Sequence, residues 1–139
     1  MTVARVGTNS EFLEIMGAPD SGTPTRATVR LALEGMTAAT TIEQHWSDGF
    51  GDLAAFFADL EAHWRGWSGS KTWQSMEGDL VLDAEHTDGR LKLHVTVRRE
   101  RFDRANDGWV VEGDLTIDLG EQLSQISRDV AVFARGSGA

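Results

Sequence analysis

From Asp79 to Arg98 the chain alternates on both sides of a central Asp88-Gly89 pair, and a single pairing register satisfies both sides. If Asp88 and Gly89 form a two-residue primed turn, Thr87 faces Arg90, Glu85 faces Lys92, Asp83 faces His94 and Asp79 faces Arg98. On the opposite side Ala84, Leu82 and Leu80 meet Leu93, Val95 and Val97. A slip of one residue would mix the charged and apolar sets, so the pattern specifies a hairpin with one buried and one solvated face. It also assigns these carboxylates and His94 to cross-strand ion pairs rather than to catalysis.

The same period-2 pattern marks further strands. Ala27, Val29, Leu31 and Leu33 share one side of Arg26–Glu34, with Arg26, Thr28 and Arg30 on the other. A shorter candidate, Glu11–Met16, precedes it across the Pro19–Pro24 turn residues. Glu34-Gly35 turns the chain into a Thr-rich strand over Met36–Trp46. After a polar Phe102–Gly108 connection, Trp109, Val111, Leu115, Ile117 and Leu119 alternate with Val110, Glu112, Asp114, Thr116 and Asp118.

Two segments change period. Phe50, Leu53, Phe56, Phe57, Leu60 and Trp64 line one face of a helix that Ser47 or Asp48 can cap. Leu123, Ile126, Val130 and Phe133 line a second helix. The reading is an α+β fold: a single, largely antiparallel sheet of five to six strands with two helices packed on one face, in the order β-β-β-α-β-β-β-α. The domain occupies residues 1–135, with a flexible tail over 136–139. A two-layer, sandwich-like arrangement with flanking helices is the alternative.

Composition bounds the function. A chain of 139 residues, 40% hydrophobic and 25% charged, suits one core that buries about 65–70% of the unfolded surface. The absence of cysteine excludes disulfides, zinc-thiolate sites and a cysteine nucleophile. Without a leader-like N-terminus or an apolar span, a cytoplasmic, membrane-free protein is expected. The net charge of −9 argues against nucleic-acid binding and favours either simple solubility or a basic partner. That acidity is spread along the chain, with nine acidic and four basic side chains in residues 1–70 and thirteen and nine in the remainder.

Three of the five tryptophans fall in the run Trp64-Arg-Gly-Trp-Ser-Gly-Ser-Lys-Thr-Trp73. Exposed tryptophan is costly, so the run either plugs the core or forms a contact surface. On the core reading, Gly66 takes a left-handed conformation and Trp67 folds back onto the end of the first helix. On the contact reading, Trp64, Trp67, Trp73, Arg65 and Lys71 form an anchor. Glu112, Asp114 and Asp118, on the polar side of the last strand, offer an acidic face. Searches for chemistry return little. Glu11 and Glu14 are three apart and point to opposite faces of a strand. His45 and His63 flank the first helix with no recognised metal spacing, and Ser68-Gly69-Ser70 lacks the ending of a phosphate loop. No catalytic, cofactor or metal residue is expected.

The combination Phe-Phe-x-x-Leu-x-x-x-Trp-Arg-Gly-Trp-x-Gly, then Lys-x-Trp, then Glu-Gly-Asp-Leu and an alternating strand resembles a family of small actinobacterial proteins known as a domain of unknown function, over residues 50–133. In size and strand–helix order the chain is also similar to immunity proteins of the WapI toxin type. That likeness implies a domain that binds and neutralises a partner protein. The leading expectation is therefore a non-catalytic protein-binding module, immunity-like, with a basic protein partner. The alternatives are a small-ligand carrier or sensor whose pocket is lined by the tryptophans and Phe102, and a small enzyme using His45, His63 and nearby carboxylates.

Overall fold

The computed structural model describes residues 3–17, 24–45, 49–99 and 108–136. Four strands and a helix occur twice in succession: β1 (Val3–Gly7), β2 (Phe12–Gly17), β3 (Arg26–Leu33), β4 (Met36–Glu43) and α1 (Gly51–Ala62), then β5 (Ser70–Gln74), β6 (Leu80–Thr87), β7 (Arg90–Arg99), β8 (Trp109–Asp118) and α2 (Glu121–Arg135). Each quartet of strands is its own antiparallel meander, hydrogen-bonded in sequence order.

The strands exist where short-range patterning demands them. In the first sheet Ala4 and Val6, Leu13 and Ile15, then Ala27, Val29 and Leu31, then Ala38 and Ile42 all turn to one buried face. In the second, Trp73, Leu80, Leu82, Ala84, Leu91, Leu93, Val95, Val97, Leu115 and Ile117 do the same. The β6–β7 hairpin has the register read from the sequence, from Thr87 opposite Arg90 to Leu80 opposite Val97. Arg98 N–H extends it by donating to the Asp79 carbonyl at 2.9 Å. Asp88 and Gly89 have φ of 52° and 75°, the left-handed pair that a primed turn requires.

The single sheet of five to six strands, and the order with three strands per half, are overturned. Two further strands, β1 and β5, are present, each five residues long. They bring two buried apolar side chains and one, respectively, which is too little alternation to stand out in the sequence. Helix α1 intervenes between β4 and β5, so strands hydrogen-bond only to their neighbours in sequence and the second meander starts a new sheet. Nor do the helices lie side by side on one sheet. They pack on each other, with Phe50 and Phe133 ring centres 5.4 Å apart, and α2 runs against β1 and β8.

Both sheets and both helices contribute to one apolar core. Leu53, Phe56, Phe57 and Leu60 are buried in α1, and Leu123, Ile126, Val130 and Phe133 in α2, as the spacing predicts, but Trp64, placed by the same spacing on the first helix face, lies beyond the end of α1 at Ala62 and is exposed. The N-cap of α1 is Phe50, without a side-chain hydrogen bond. Ser47 and Asp48, expected to cap it, lie outside the described residues, as do Trp46, Phe102, most of the Pro19–Pro24 loop and residues 137–139. No helix among the described residues is long and apolar enough to cross a membrane.

The two sheets approach where β4 meets β7 and β1 meets β8. Gly113 of β8 faces Leu33 at the end of β3 so closely that a Cβ on it would stand 2.6 Å from Leu33 Cδ1 and 3.1 Å from Cδ2. Glycine here admits the opposite sheet's side chain. We expect Gly113→Ala to cost about 1–3 kcal/mol through overpacking. A Leu33→Ala background should remove most of that cost in a double-mutant cycle read by urea unfolding, and strictly additive costs would show that the two positions do not press on each other.

Candidate functional site

After α1 the chain turns through Trp64, Arg65 and Gly66. The turn is closed by Trp64 N–H donating to the Glu61 carbonyl at 3.3 Å and Gly66 N–H to the His63 carbonyl at 2.9 Å. Gly66 has φ of 143°, a left-handed-side value that glycine alone adopts readily, as expected from the sequence. Trp67 is partly buried against the common core and reaches β6. Its indole N–H donates to the Ala84 carbonyl at 3.2 Å, and its ring meets His86 edge-on at 5.4 Å. Trp73 is core, 7% exposed, with its indole N–H donated to Asp52 at 2.9 Å.

The tryptophan run is thus divided by the burial of its members. Trp64 alone of the three stays open, at 50% exposure, with the Arg65 guanidinium carbon 5.3 Å from its ring centre. His86 pins the turn from below. Its Nε2 lies 3.2 Å from the Trp64 carbonyl, which as an acceptor makes Nε2 the protonated nitrogen.

Trp64 and Arg65 line an open cleft of about 430 Å³ with His86, Asp118, Leu119 and Gly120. Three segments remote in sequence meet there: the α1–β5 turn, the β6–β7 hairpin end and the β8–α2 junction. Gln122 fixes the last of these, accepting the Asp118 N–H at 2.8 Å and donating to the Gly7 carbonyl at 3.1 Å. The cleft therefore offers one large apolar ring, a guanidinium, a carboxylate and a pinned imidazole.

The remaining sequence candidates lie elsewhere. Lys71 on β5 is committed to Asp59 of α1 at 2.7 Å, and its ammonium holds the Asp59 carboxyl below the ordinary aspartate range. Glu112 and Asp114 stand on the outer face of the second sheet, where each engages one nitrogen of His94, at 3.2 and 2.7 Å. Asp83 lies opposite His94 in register, but the imidazole leans to β8 instead. Asp83, Glu85, Lys92, His94 and Asp114 line a polar hollow of about 240 Å³. Among the enzyme candidates, His45 contacts Asp52, the same carboxylate that holds Trp73, and packs edge-on against Trp73 at 6.0 Å. This cluster joins the end of β4 to the start of α1 and to β5. His63 stays local, with Nδ1 2.9 Å from the Asp59 carbonyl.

Sequence reading missed His86 and Leu119 as cleft residues. The alternation places both on strands or strand ends, but only tertiary packing brings His86 of β6 to the Trp64 carbonyl and sets Leu119, beyond β8, in the same cleft.

His94 donates to two carboxylates, chiefly to Asp114 and then to Glu112, and this raises its pKa above the usual histidine value. A raised folded-state pKa contributes stability that is full below the unfolded value, about 6.5, and that is lost as pH rises through the folded value. The carboxylates must also stay ionised. We therefore expect His94→Gln to destabilise by about 0.2–1 kcal/mol near pH 5.5, the scale of exposed pairs, with the difference shrinking above neutral pH. Urea unfolding across pH checks this, and a gap that widened with pH would contradict the assignment.

A family of unknown function, DUF6228, matches residues 6–137, and the chain belongs to that family. No curated protein and no solved structure matches it.

Proposed function

We propose that this member of DUF6228 is a non-catalytic protein-binding module whose anchor is Trp64 with Arg65, at the rim of the cleft that Asp118 closes on the far side. One observation carries the reading: among the large hydrophobic side chains exposed in the described residues, Trp64 is the only aromatic. It is ringed by polar groups, the arrangement in which a single ring contributes most to affinity. Arg65 lies over the indole and leaves its donors for an acceptor on the partner. The role proposed is that of an immunity-like inhibitor of a basic partner, and a basic partner accords with the net charge of −9.

A cleft of about 430 Å³ beside a tryptophan also suits a small organic ligand, which supports the sensor reading. The two readings separate on size: a protein partner covers surface beyond the cleft, whereas a small ligand perturbs only the cleft.

Trp64→Ala should leave stability within about 0.5 kcal/mol of wild type, as surface truncations do. It should abolish capture of a stoichiometric partner from lysate of the native source at low salt. Trp73→Ala removes a buried ring and should cost about 3–5 kcal/mol, so it reports on folding rather than on binding. Undiminished capture by Trp64→Ala would refute the anchor. Loss of a ligand-induced tryptophan fluorescence change without any captured protein would favour the small-ligand reading.

A further inference from the structure

The outer face of the first sheet holds a charge arrangement built from residues that do not line the Trp64 cleft. The strand register sets Arg5, Glu14 and Arg30 side by side on β1, β2 and β3. Each Glu14 oxygen is taken by a different arginine: Arg5 Nη2 donates to Oε2 at 2.8 Å and Arg30 Nη2 to Oε1 at 3.0 Å. Glu14 faces away from the core, yet it is only 7% exposed. Phe12, in the adjacent row of the same strand, lies under both cations, with guanidinium carbons 3.9 and 5.6 Å from its ring centre. Opposite Arg30, β4 presents only Ala39, so the sheet surface beside the pair is low.

Two cations sharing one carboxylate leave one positive charge uncompensated, in a chain whose net charge is −9. Arg30 Nε is buried and has no hydrogen-bond partner among the described residues. The Arg5 and Arg30 side chains nevertheless remain 44% and 40% exposed, so part of each reaches water. Arginine ordinarily loses rotamer freedom when it grips an anion. Here Glu14 and Phe12 have already fixed both side chains, which removes much of that cost. Burial and the two guanidinia act oppositely on Glu14. The hydrogen bond from Arg5, joined by Arg30, prevails and holds its carboxyl below the usual glutamate range, so it stays ionised as the template.

We propose that Arg5 and Arg30 form an oxyanion clamp templated by Glu14. A carboxylate or phosphate group lying over the pair would accept one N–H from each guanidinium, repeating outside the geometry that Glu14 adopts beneath. The bound group also neutralises the spare charge. Arg26 supplies an internal control on the same face, since it pairs with Glu43 at 3.1 Å and has no unbalanced neighbour in its row among the described residues. This site takes an acidic group and is independent of the Trp64 reading, so either can fail alone.

The test is an NMR titration of the wild-type chain that follows the arginine Nε–Hε signals at constant ionic strength, with inorganic phosphate in one series and acetate in another. Saturable shifts at Arg5 and Arg30, with Arg26 unmoved, support the clamp. Stronger saturation by phosphate would identify a tetrahedral dianion as the preferred group, and stronger saturation by acetate a planar carboxylate. Arg30→Gln should abolish the saturable shift at Arg5. No shift, or a parallel non-saturating drift of all three signals, would mean charge screening only and would overturn the proposal, as would undiminished saturation at Arg5 in Arg30→Gln.

Discussion

Each four-stranded sheet is apolar on one face and polar on the other, and water leaves both apolar faces only when they close on a common core with the two helices. This requirement organises the molecule. It brings Leu33 of the first sheet onto Gly113 of the second, where a side chain on the glycine would collide. It also stacks α1 on α2 through Phe50 and Phe133. Burial of this kind scales with apolar area and has no direction, so precise placement falls to close side-chain contacts such as these.

Closure of the core also decides which surfaces are left for function. The outer face of the first sheet carries Arg5, Arg26 and Arg30 against Glu14 and Glu43. The outer face of the second carries Asp83, Glu85, Glu112, Asp114 and Asp118 against Arg90, Lys92 and Arg98. Counted along the chain the acidity looks even, but strand pairing sorts it into one face that favours anions and one that is itself anionic. His94 then offsets part of the acidic face locally, so Glu112 and Asp114 are partnered within the sheet while Asp118 stands at the cleft.

The candidate site was legible in part. The tryptophan run stands out in the sequence, and Trp64, Arg65 and Asp118 do converge on one cleft. Trp67 and Trp73 carry the same local signal, yet β6 and Asp52 claim them, because burial depends on what lies across from a side chain. Glu14 shows the limit most sharply. Its position on a strand identifies the face it occupies, but its burial follows from Arg5 on one neighbour and Arg30 on the other, and β1 was too short to be read as a strand.

By itself the sequence determined whatever acts within one element or across one tight turn. The β6–β7 register follows from a two-residue turn and a period of two, and the buried faces of both helices follow from a period of 3.6. Tertiary structure alone decided that there are two sheets, that the tryptophans have different fates and that two arginines share one glutamate. These outcomes depend on which edges and faces meet after α1 has carried the chain across. Such contacts join residues far apart in sequence and leave no periodic trace in it.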